Sequence, residues 1–349
     1  MIKSERPTLK DVARYANVST ATVSFVLNAS KRVSPQTRTR VEQALTALGY
    51  RISLQAVALR TGRHKAIGLI LPDLLNPFFS GIAQAVTQSA WAHGHAVILA
   101  GNPNTVGPDA QEFRMLEERV DGIIWIPDGI PKLRSFTRPL VILDRTPPNL
   151  AQYDSVSVDH YAGGVATAAL VRDLGRKQVG ILAGPTTSRS AQNRLAGFID
   201  HAQGLNIVWH HEAAYALELS QAILPLLGDP RIDVVVAAND IVAISVLREL
   251  RALKRNVPNE VALIGFDDIP WAALTDPPLT TFRQPLADLG NEAVTMLLER
   301  ICGHRGPPRN RLLPVSVVHR GTTAPREQQR QQGSLDEFAI THCHSGSRQ

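Results

Sequence analysis

Thr8-Leu-Lys-Asp-Val-Ala-Arg-Tyr-Ala-Asn-Val-Ser-Thr-Ala-Thr-Val-Ser-Phe-Val-Leu-Asn28, continued by Val33-Ser-Pro-Gln-Thr-Arg38 and closed by Leu48-Gly-Tyr50, decides the fold of the N-terminal region. It reads as three short helices with a tight bend between the first two. Thr8 and Asp11 have the spacing of a capping box, in which a hydroxyl and a carboxylate serve the first free amides of a helix. Asn17 falls where the chain must turn sharply, and Asn tolerates a left-handed backbone. Ser19 can cap the second helix, whose Val23, Val26 and Leu27 point inward at helical spacing. The third helix opens with Ser34 as cap and Pro35 at its first position, and Gly49 stops it. Val41, Leu45 and Leu48 supply its apolar face. Caps and periodicity alone also describe any small helical bundle, so the DNA-reading interpretation of this helix-turn-helix layout needs more.

Charge supplies part of it. Residues 1–65 carry 12 Lys+Arg against 3 Asp+Glu, a net of +9, whereas the whole chain is +6, which leaves −3 for the rest. Basicity confined to one small region is what a module that neutralises phosphates requires.

This segment resembles the LacI/GalR family of bacterial transcription repressors. The likeness extends over about residues 8–322 and is most specific at Leu9-Lys-Asp-Val-Ala13, Val18-Ser19, Thr22-Val-Ser24, Leu27-Asn28, Val33-Ser34, Thr37-Arg38 and Leu48-Gly-Tyr50. The resemblance implies that the second helix enters the DNA major groove with Thr20 and Ala21 at base-reading positions. Phe25 stands where many relatives carry Arg. Arg forks onto guanine, whereas Phe offers only apolar contact, for instance with a thymine methyl; packing against its own domain is the alternative. Thr8, Ser19, Thr22, Ser24 and Asn28 are expected to hold phosphates, which sets register without reading sequence.

Residues 51–65 follow as a short helix-compatible run ending in a basic linker at Thr61-Gly62. By resemblance this is a hinge helix that folds on DNA and pairs across a dimer. Leu59 matches its minor-groove wedge, and Ala56 the small position where two hinges meet. So short a helix is marginal in water by itself. Ile52-Ser53 and Val57 depart from the usual pattern and make this hinge more apolar. Leu59 as an ordinary interdomain packing residue is the alternative.

From residue 66 apolar strands alternate with amphipathic helices. Strand-like runs are Ile67–Leu71, Ala96–Ala100, Gly122–Ile126, Leu140–Leu143, Val179–Leu182, Val234–Ala237 and Val261–Ile264, with helix-like segments near 78–93, 109–119, 161–174, 191–204, 240–253 and 286–302. Continuous apolar strands between helices indicate parallel sheets covered on both faces. About 260 residues suits two such sheets rather than one. The expected fold is thus an all-α helix-turn-helix domain (1–50), a hinge and linker (51–65) and an α/β core (66–325). That core holds two Rossmann-like subdomains of periplasmic-binding-protein-like type. Its first lobe is expected over 66–158 and 286–312 and its second over 159–285 and 313–325, followed by a disordered polar tail at 326–349.

Ligands in open α/β sheets collect at the carboxyl ends of strands. The polar residues there are Asp73, Asn76, Asn102, Asp144, Arg145, Asn239, Asp240, Asp267 and Asp268, with Asp159 and Gln284 near the crossovers. Arg194-Leu-Ala-Gly-Phe198 resembles the family's effector-binding helix, whose arginine clamps a hydroxyl or carboxylate. Phe78 and Phe79 offer an apolar face. Asp73, Asn76, Phe78, Phe79, Asp144, Arg194, Asn239, Asp240, Asp267 and Gln284 are therefore the candidate effector site, suited to a sugar or sugar derivative. Arg189 and Arg194 leave an anionic ligand open. Carboxylates after strands also commonly cap the next helix, which is the competing role for Asp73, Asp144 and Asp240.

No stretch approaches the roughly 18–20 apolar residues of a membrane span, and no signal peptide is evident, so a cytoplasmic, nucleoid-associated protein is expected. Cys302 and Cys343 cannot build a disulfide framework, and neither His93/His95 nor His342-Cys-His344 has the form of a metal site. No cofactor, metal or catalytic constellation is expected. The polar tail lacks a leucine heptad, so a homodimer on a pseudopalindromic double-stranded operator is the expected assembly. A two-lobed transport-type sugar-binding protein, or an enzyme acting on a sugar or nucleoside in the same cleft, are the rival readings. The helix-turn-helix argues against both. The expectation is a repressor of a carbohydrate-utilisation operon, with effector binding coupled to operator affinity by about 1–3 kcal/mol.

Overall fold

The structure is a computed structural model and describes residues 7–28, 33–50, 62–101, 111–127 and 136–323. The expectations for Ala56, Leu59, Asn102 and the 326–349 tail lie outside these residues. The chain forms two compact units, Met1–His64 and Lys65–Gln349.

In the first unit α1 (Leu9–Tyr15), α2 (Thr20–Asn28) and α3 (Pro35–Leu48) are where local chemistry places them. The Thr8 hydroxyl and N–H both donate to the Asp11 carboxylate, at 2.6 and 2.9 Å, which holds Asp11 below the usual carboxylate range. Asn17 turns with a φ of +50°. Ser19 Oγ accepts from Thr22 N–H at 3.1 Å and Ser34 Oγ from Thr37 N–H at 3.3 Å. Gly49 ends α3 in the left-handed conformation that suits a residue without a Cβ. One valine from each helix, Val12, Val23 and Val41, is wholly buried and closes the small core.

In the second unit the chain begins with β1 (Ala66–Leu71), α4 (Pro77–Ala92), β2 (Ala96–Gly101), α5 (Gln111–Glu117), β3 (Gly122–Trp125), β4 (Leu140–Leu143) and β5 (Asp154–Val158). It continues through α6 (His160–Asp173), β6 (Gln178–Ala183), α7 (Arg189–Asp200), β7 (Asn206–Glu212), α8 (Leu224–Leu227) and β8 (Val234–Ala237). It closes with α9 (Asp240–Ala252), β9 (Ala262–Ile264), β10 (Thr281–Arg283), α10 (Leu286–Ile301), β11 (Asn310–Leu313) and β12 (Ser316–Val318). One parallel sheet has the order β11-β5-β4-β3-β1-β2 and the other β7-β6-β8-β9; β10 and β12 pair antiparallel. The chain therefore crosses between lobes at Asp159, at Gln284-Pro285 and between β11 and β12.

β1 is buried at every position, as a strand covered on both faces must be. Alternate residues of β3 serve the two faces: Ile123 and Trp125 join an aromatic cluster with Phe113 and Phe136, while Ile124 packs toward α4 and its neighbours. β5 escaped the sequence reading because Asp154, Ser155 and Ser157 interrupt its apolar run, yet it too is wholly buried. Burial by itself would raise the Asp154 carboxyl, but Arg300 and Arg309 bind it at 2.7 and 2.9 Å and hold it well below the usual range. β7 escaped because it is an edge strand with exposed polar positions, and β10, β11 and β12 because Arg283, Asn310, Arg311 and Ser316 break up runs of only three or four residues.

One close approach positions the cleft residues. A Cβ at Gly164 of α6 would fall on the Arg194 carbonyl of α7, and one at Gly197 on the Tyr161 carbonyl. Glycine at these two places lets the helices touch backbone to backbone, which sets His160 and Arg194 side by side. Among the described residues no helix is long and apolar enough to cross a membrane.

Candidate functional site

On the first unit, Thr20 and Ala21 are exposed at the start of α2, and Phe25 one turn on is half-buried. The hydroxyls of Ser19 and Thr22 lie 2.8 Å apart, so one donates to the other and one O–H is left to donate outward. The Thr8 hydroxyl donates to Asp11, so its proton is engaged within the capping box. Ser24 is half-buried, and Asn28 is the last residue of α2.

In the second unit three aspartates just past strand ends adopt left-handed backbones: Asp144 after β4 (φ +65°), and Asp267 and Asp268 after β9 (φ +119° and +57°). Such conformations cost a non-glycine residue on the order of 1–3 kcal/mol and persist where the surroundings enforce them. Asp144 is buried and faces the other lobe. There Arg194 Nη1 donates to His160 Nδ1 at 2.9 Å, so the ring proton sits on Nε2, which lies 3.5 Å from Asp144 Oδ1. Burial and the neighbouring Arg194 charge hold His160 below its ordinary value, against the opposing pull of Asp144. Burial would raise Asp144, but His160, Arg145 and Arg194 outweigh it and keep the carboxyl ionised below the usual range. The result is a line of contacts, guanidinium to neutral imidazole to carboxylate, that runs from the second lobe to the first.

Arg194 also donates through Nη2 to the Ala238 carbonyl at 3.0 Å and to the Tyr215 hydroxyl at 3.4 Å. Its guanidinium lies 4.4 Å from the centre of the Phe266 ring. Arg145, buried beside Asp144 with Nε 3.5 Å from Oδ2, sits between Phe79 of the first lobe and Tyr215 of the second, 5.3 and 5.7 Å from their ring centres. Phe78 packs edge-on against Phe79 at 5.2 Å. Asp267 Oδ1 accepts from Gln284 Nε2 at 2.8 Å, and burial pushes its carboxyl up to about 7 against the opposing effect of Arg194 and Gln284. Gln284 Oε1 is buried with no hydrogen-bond partner among the described residues.

The remaining sequence candidates have other duties. Asn76 and Asn239 cap α4 and α9, each accepting from a backbone N–H at 3.0 Å. Asp159 caps α6 at 2.9 Å. Asp73 is exposed and accepts from Leu75 N–H at 2.8 Å within its own turn. Asp240 is wholly buried; it accepts from Ile269 N–H at 2.9 Å and the Thr281 hydroxyl at 2.5 Å, pinning the loop that carries Asp267. Burial and the nearby Asp267 raise its carboxyl well above the ordinary value. Asp268 binds Arg283 and Arg320, both at 2.6 Å. Asp144, Arg194, Asp267, Gln284 and the phenylalanines thus converge, while Asp73 is left apart.

His160 and Tyr215 had no place in the sequence reading. His160 directly follows the crossover residue Asp159, a signal that was available. Tyr215 follows β7, an edge strand whose lack of an apolar run hides its carboxyl end in the sequence.

Residues 8–53 match the bacterial regulatory proteins of the lacI family, and residues 168–323 match a periplasmic binding protein-like domain. The HTH-type transcriptional repressor PurR of Pasteurella multocida is 34% identical over 308 residues, 84% of this chain and 92% of that protein. The ribose operon repressor of Bacillus subtilis is 33% identical, covering 90% of this chain and 98% of its own length. Among solved structures, a Lac repressor dimer bound to operator and the anti-inducer ONPF superposes with a TM-score of 0.80 at 28% identity, over 91% of this chain and 99% of that one. A LacI family transcriptional regulator from Enterococcus faecalis with bound ribose gives 0.66 at 27%, over 74% and 99%.

Proposed function

Because the chain belongs to the LacI family of bacterial regulatory proteins, we propose that it is a sequence-specific transcriptional repressor whose operator affinity is set by a small sugar-like effector held between its two core lobes. The observation that carries this reading is the Arg194–His160–Asp144 line, which joins side chains of both lobes at the carboxyl ends of their strands. A ligand entering there must exchange these contacts for its own, and so biases the angle between lobes. An effector acts only through such differential contacts.

In this reading Thr20, Ala21 and Phe25 face bases, and Thr8, Ser19, Thr22, Ser24 and Asn28 face phosphates. Ala56 and Leu59 form the hinge contact in the minor groove. Asp144, Arg194, Asp267 and Gln284 bind the effector's polar atoms, and Phe79, backed by Phe78, offers an apolar face. Asn76, Asn239 and Asp240 position the elements that carry them, and Asp73 lies at the rim. The repressor works as a cytoplasmic homodimer on a pseudopalindromic operator. Likeness to the ribose operon repressor and to the ribose-bound regulator supports a carbohydrate operon as its target. The domain limits given above, with lobes of 66–158 plus 286–312 and 159–285 plus 313–325, are part of the proposal. No catalytic step is assigned to the cleft.

The test is a selection of bound sequences from random DNA with the full-length protein, followed by titration of the selected site with candidate effectors. A pseudopalindrome whose binding responds to one sugar-class ligand supports the reading. Binding without sequence preference, or turnover of a bound ligand, refutes it.

A further inference from the structure

Lys65 is the residue at which the chain enters the second unit, directly before β1. It is exposed, yet its backbone is left-handed, with a φ of +54°. That conformation is unfavourable for a residue with a Cβ and persists where the surroundings enforce it. Three hydrogen bonds hold the chain here. The Lys65 N–H donates to Asp121 Oδ2 at 2.9 Å, the Lys65 carbonyl accepts from Ala96 N–H at 2.9 Å, and the Ala66 carbonyl accepts from Asp121 N–H at 2.8 Å. β1 lies between β2 and β3 in its sheet, so its entry point is gripped from both sides.

These three bonds have different jobs. The two that end on carbonyls continue the parallel ladders of β1 with β2 and β3, and they need only backbone atoms. The bond to Asp121 Oδ2 is the one of the three that uses a side chain, and the one on the N-terminal side of the Lys65 Cα. It therefore restrains rotation about φ of Lys65, and that rotation aims the chain that precedes it. Asp121 is well suited to the task. It is 5% exposed and directly precedes β3, so its carboxylate is held by the sheet it belongs to. A carboxylate acceptor also makes a stronger bond to a backbone N–H than a neutral one does.

We propose that Asp121 is a positioning residue for operator recognition: by pinning Lys65 it sets the direction in which the preceding chain leaves the first lobe, and with it the distance between half-sites that a dimer accepts. This deepens the reading of the chain as a dimeric repressor and rests on it. Because two successive residues are held at three points, a rotation of the first lobe passes to the departing chain without slack. A bond at one point would leave a swivel. The competing role is local: Asp121 would only fasten the start of β3 to β1, which affects stability and leaves spacing alone.

The test compares the full-length wild type with Asp121→Ala and Asp121→Asn. Each protein selects its sites from random DNA, and the half-sites of the wild-type site are then moved apart or together by single base pairs for binding titrations. One base pair displaces a half-site by about 3.4 Å and turns it by about 35°. The wild type should bind its own spacing at least about tenfold tighter than the altered ones, and Asp121→Ala should cut that preference below about threefold with the half-site sequence unchanged. Asp121→Asn keeps an oxygen for the Lys65 N–H and should keep most of the preference. If Asp121→Ala does not fold, Lys65→Pro decides. It alters an exposed residue, removes the N–H and sets φ near about −65°, so the preference for the wild-type spacing should be lost. An unchanged preference in Asp121→Ala or in Lys65→Pro overturns the proposal and leaves the repressor standing, and so does an equal loss of preference in Asp121→Ala and Asp121→Asn. Selection of no pseudopalindrome by the wild type overturns the repressor reading and the proposal with it.

Discussion

Replacing Asp267 with Asn removes a buried carboxyl while keeping an oxygen where Gln284 Nε2 donates at 2.8 Å. Burial pushes this carboxyl up to about 7 from an ordinary value of 3.8. That difference of about three pH units, at about 1.4 kcal/mol each, makes the ionised form cost the folded protein on the order of 4 kcal/mol above pH 7. Between pH 4 and 7 the folded chain keeps a proton that the unfolded chain has released, so the stability from this group is present below pH 4 and lost as pH rises through 7. The asparagine variant has no such proton. Urea unfolding of both proteins at one protomer concentration, from pH 4.5 to 7.5, should show their stabilities converging or crossing as pH rises. The wild type should lose about 1.4 kcal/mol per unit relative to the variant. The windows of Asp144 and Asp154 lie lower and are common to both proteins, and so is that of His160; Asp240 is raised less once the Asp267 charge is gone, which adds to the wild type's relative loss in the same direction. Parallel curves across this range would refute the buried-carboxyl argument.

Other outcomes follow from the same structure. Gly164→Ala puts a methyl on the Arg194 carbonyl and the Phe198 N–H, forcing α6 and α7 apart; about 1–3 kcal/mol of stability should be lost, read as a lower Tm, together with effector affinity. Asp154→Ala leaves Arg300 without a carboxylate and Arg309 with Glu299 alone, and a loss of about 3 kcal/mol in urea unfolding is expected; an unchanged midpoint would mean the network is replaceable. Leu59→Ala should weaken operator binding in gel-shift titrations while leaving binding to random DNA nearly intact, and equal loss on both would remove the wedge from the hinge. Ala substitution of Thr20 should change which bases the selected operator requires, whereas Ser19→Ala should weaken all sequences about equally.

What the sequence alone determined was whatever closes over a few residues. Thr8 with Asp11, Asn17, Ser19, Ser34 with Pro35, and Gly49 each act within about one helical turn, so spacing was enough to place three helices. The covered parallel strands were equally legible, because burial on both faces demands an unbroken apolar run, and their carboxyl ends marked Asp144 and Asp267, while Arg194 was marked by likeness to the family's effector-binding helix. Tertiary structure decided what those polar residues do. Asp240 and Asp144 each follow a strand, yet Asp240 meets Ile269 N–H and Thr281 and becomes a pin, while Asp144 meets His160 across the lobes. Nothing local separates the two: a carboxylate takes the nearest donor, and the donor is delivered by chain folded back from tens of residues away. The same reason hid Tyr215. Its partners, Arg145 and Arg194, are neighbours in space through three chain crossings between two sheets, and no spacing along the chain records that.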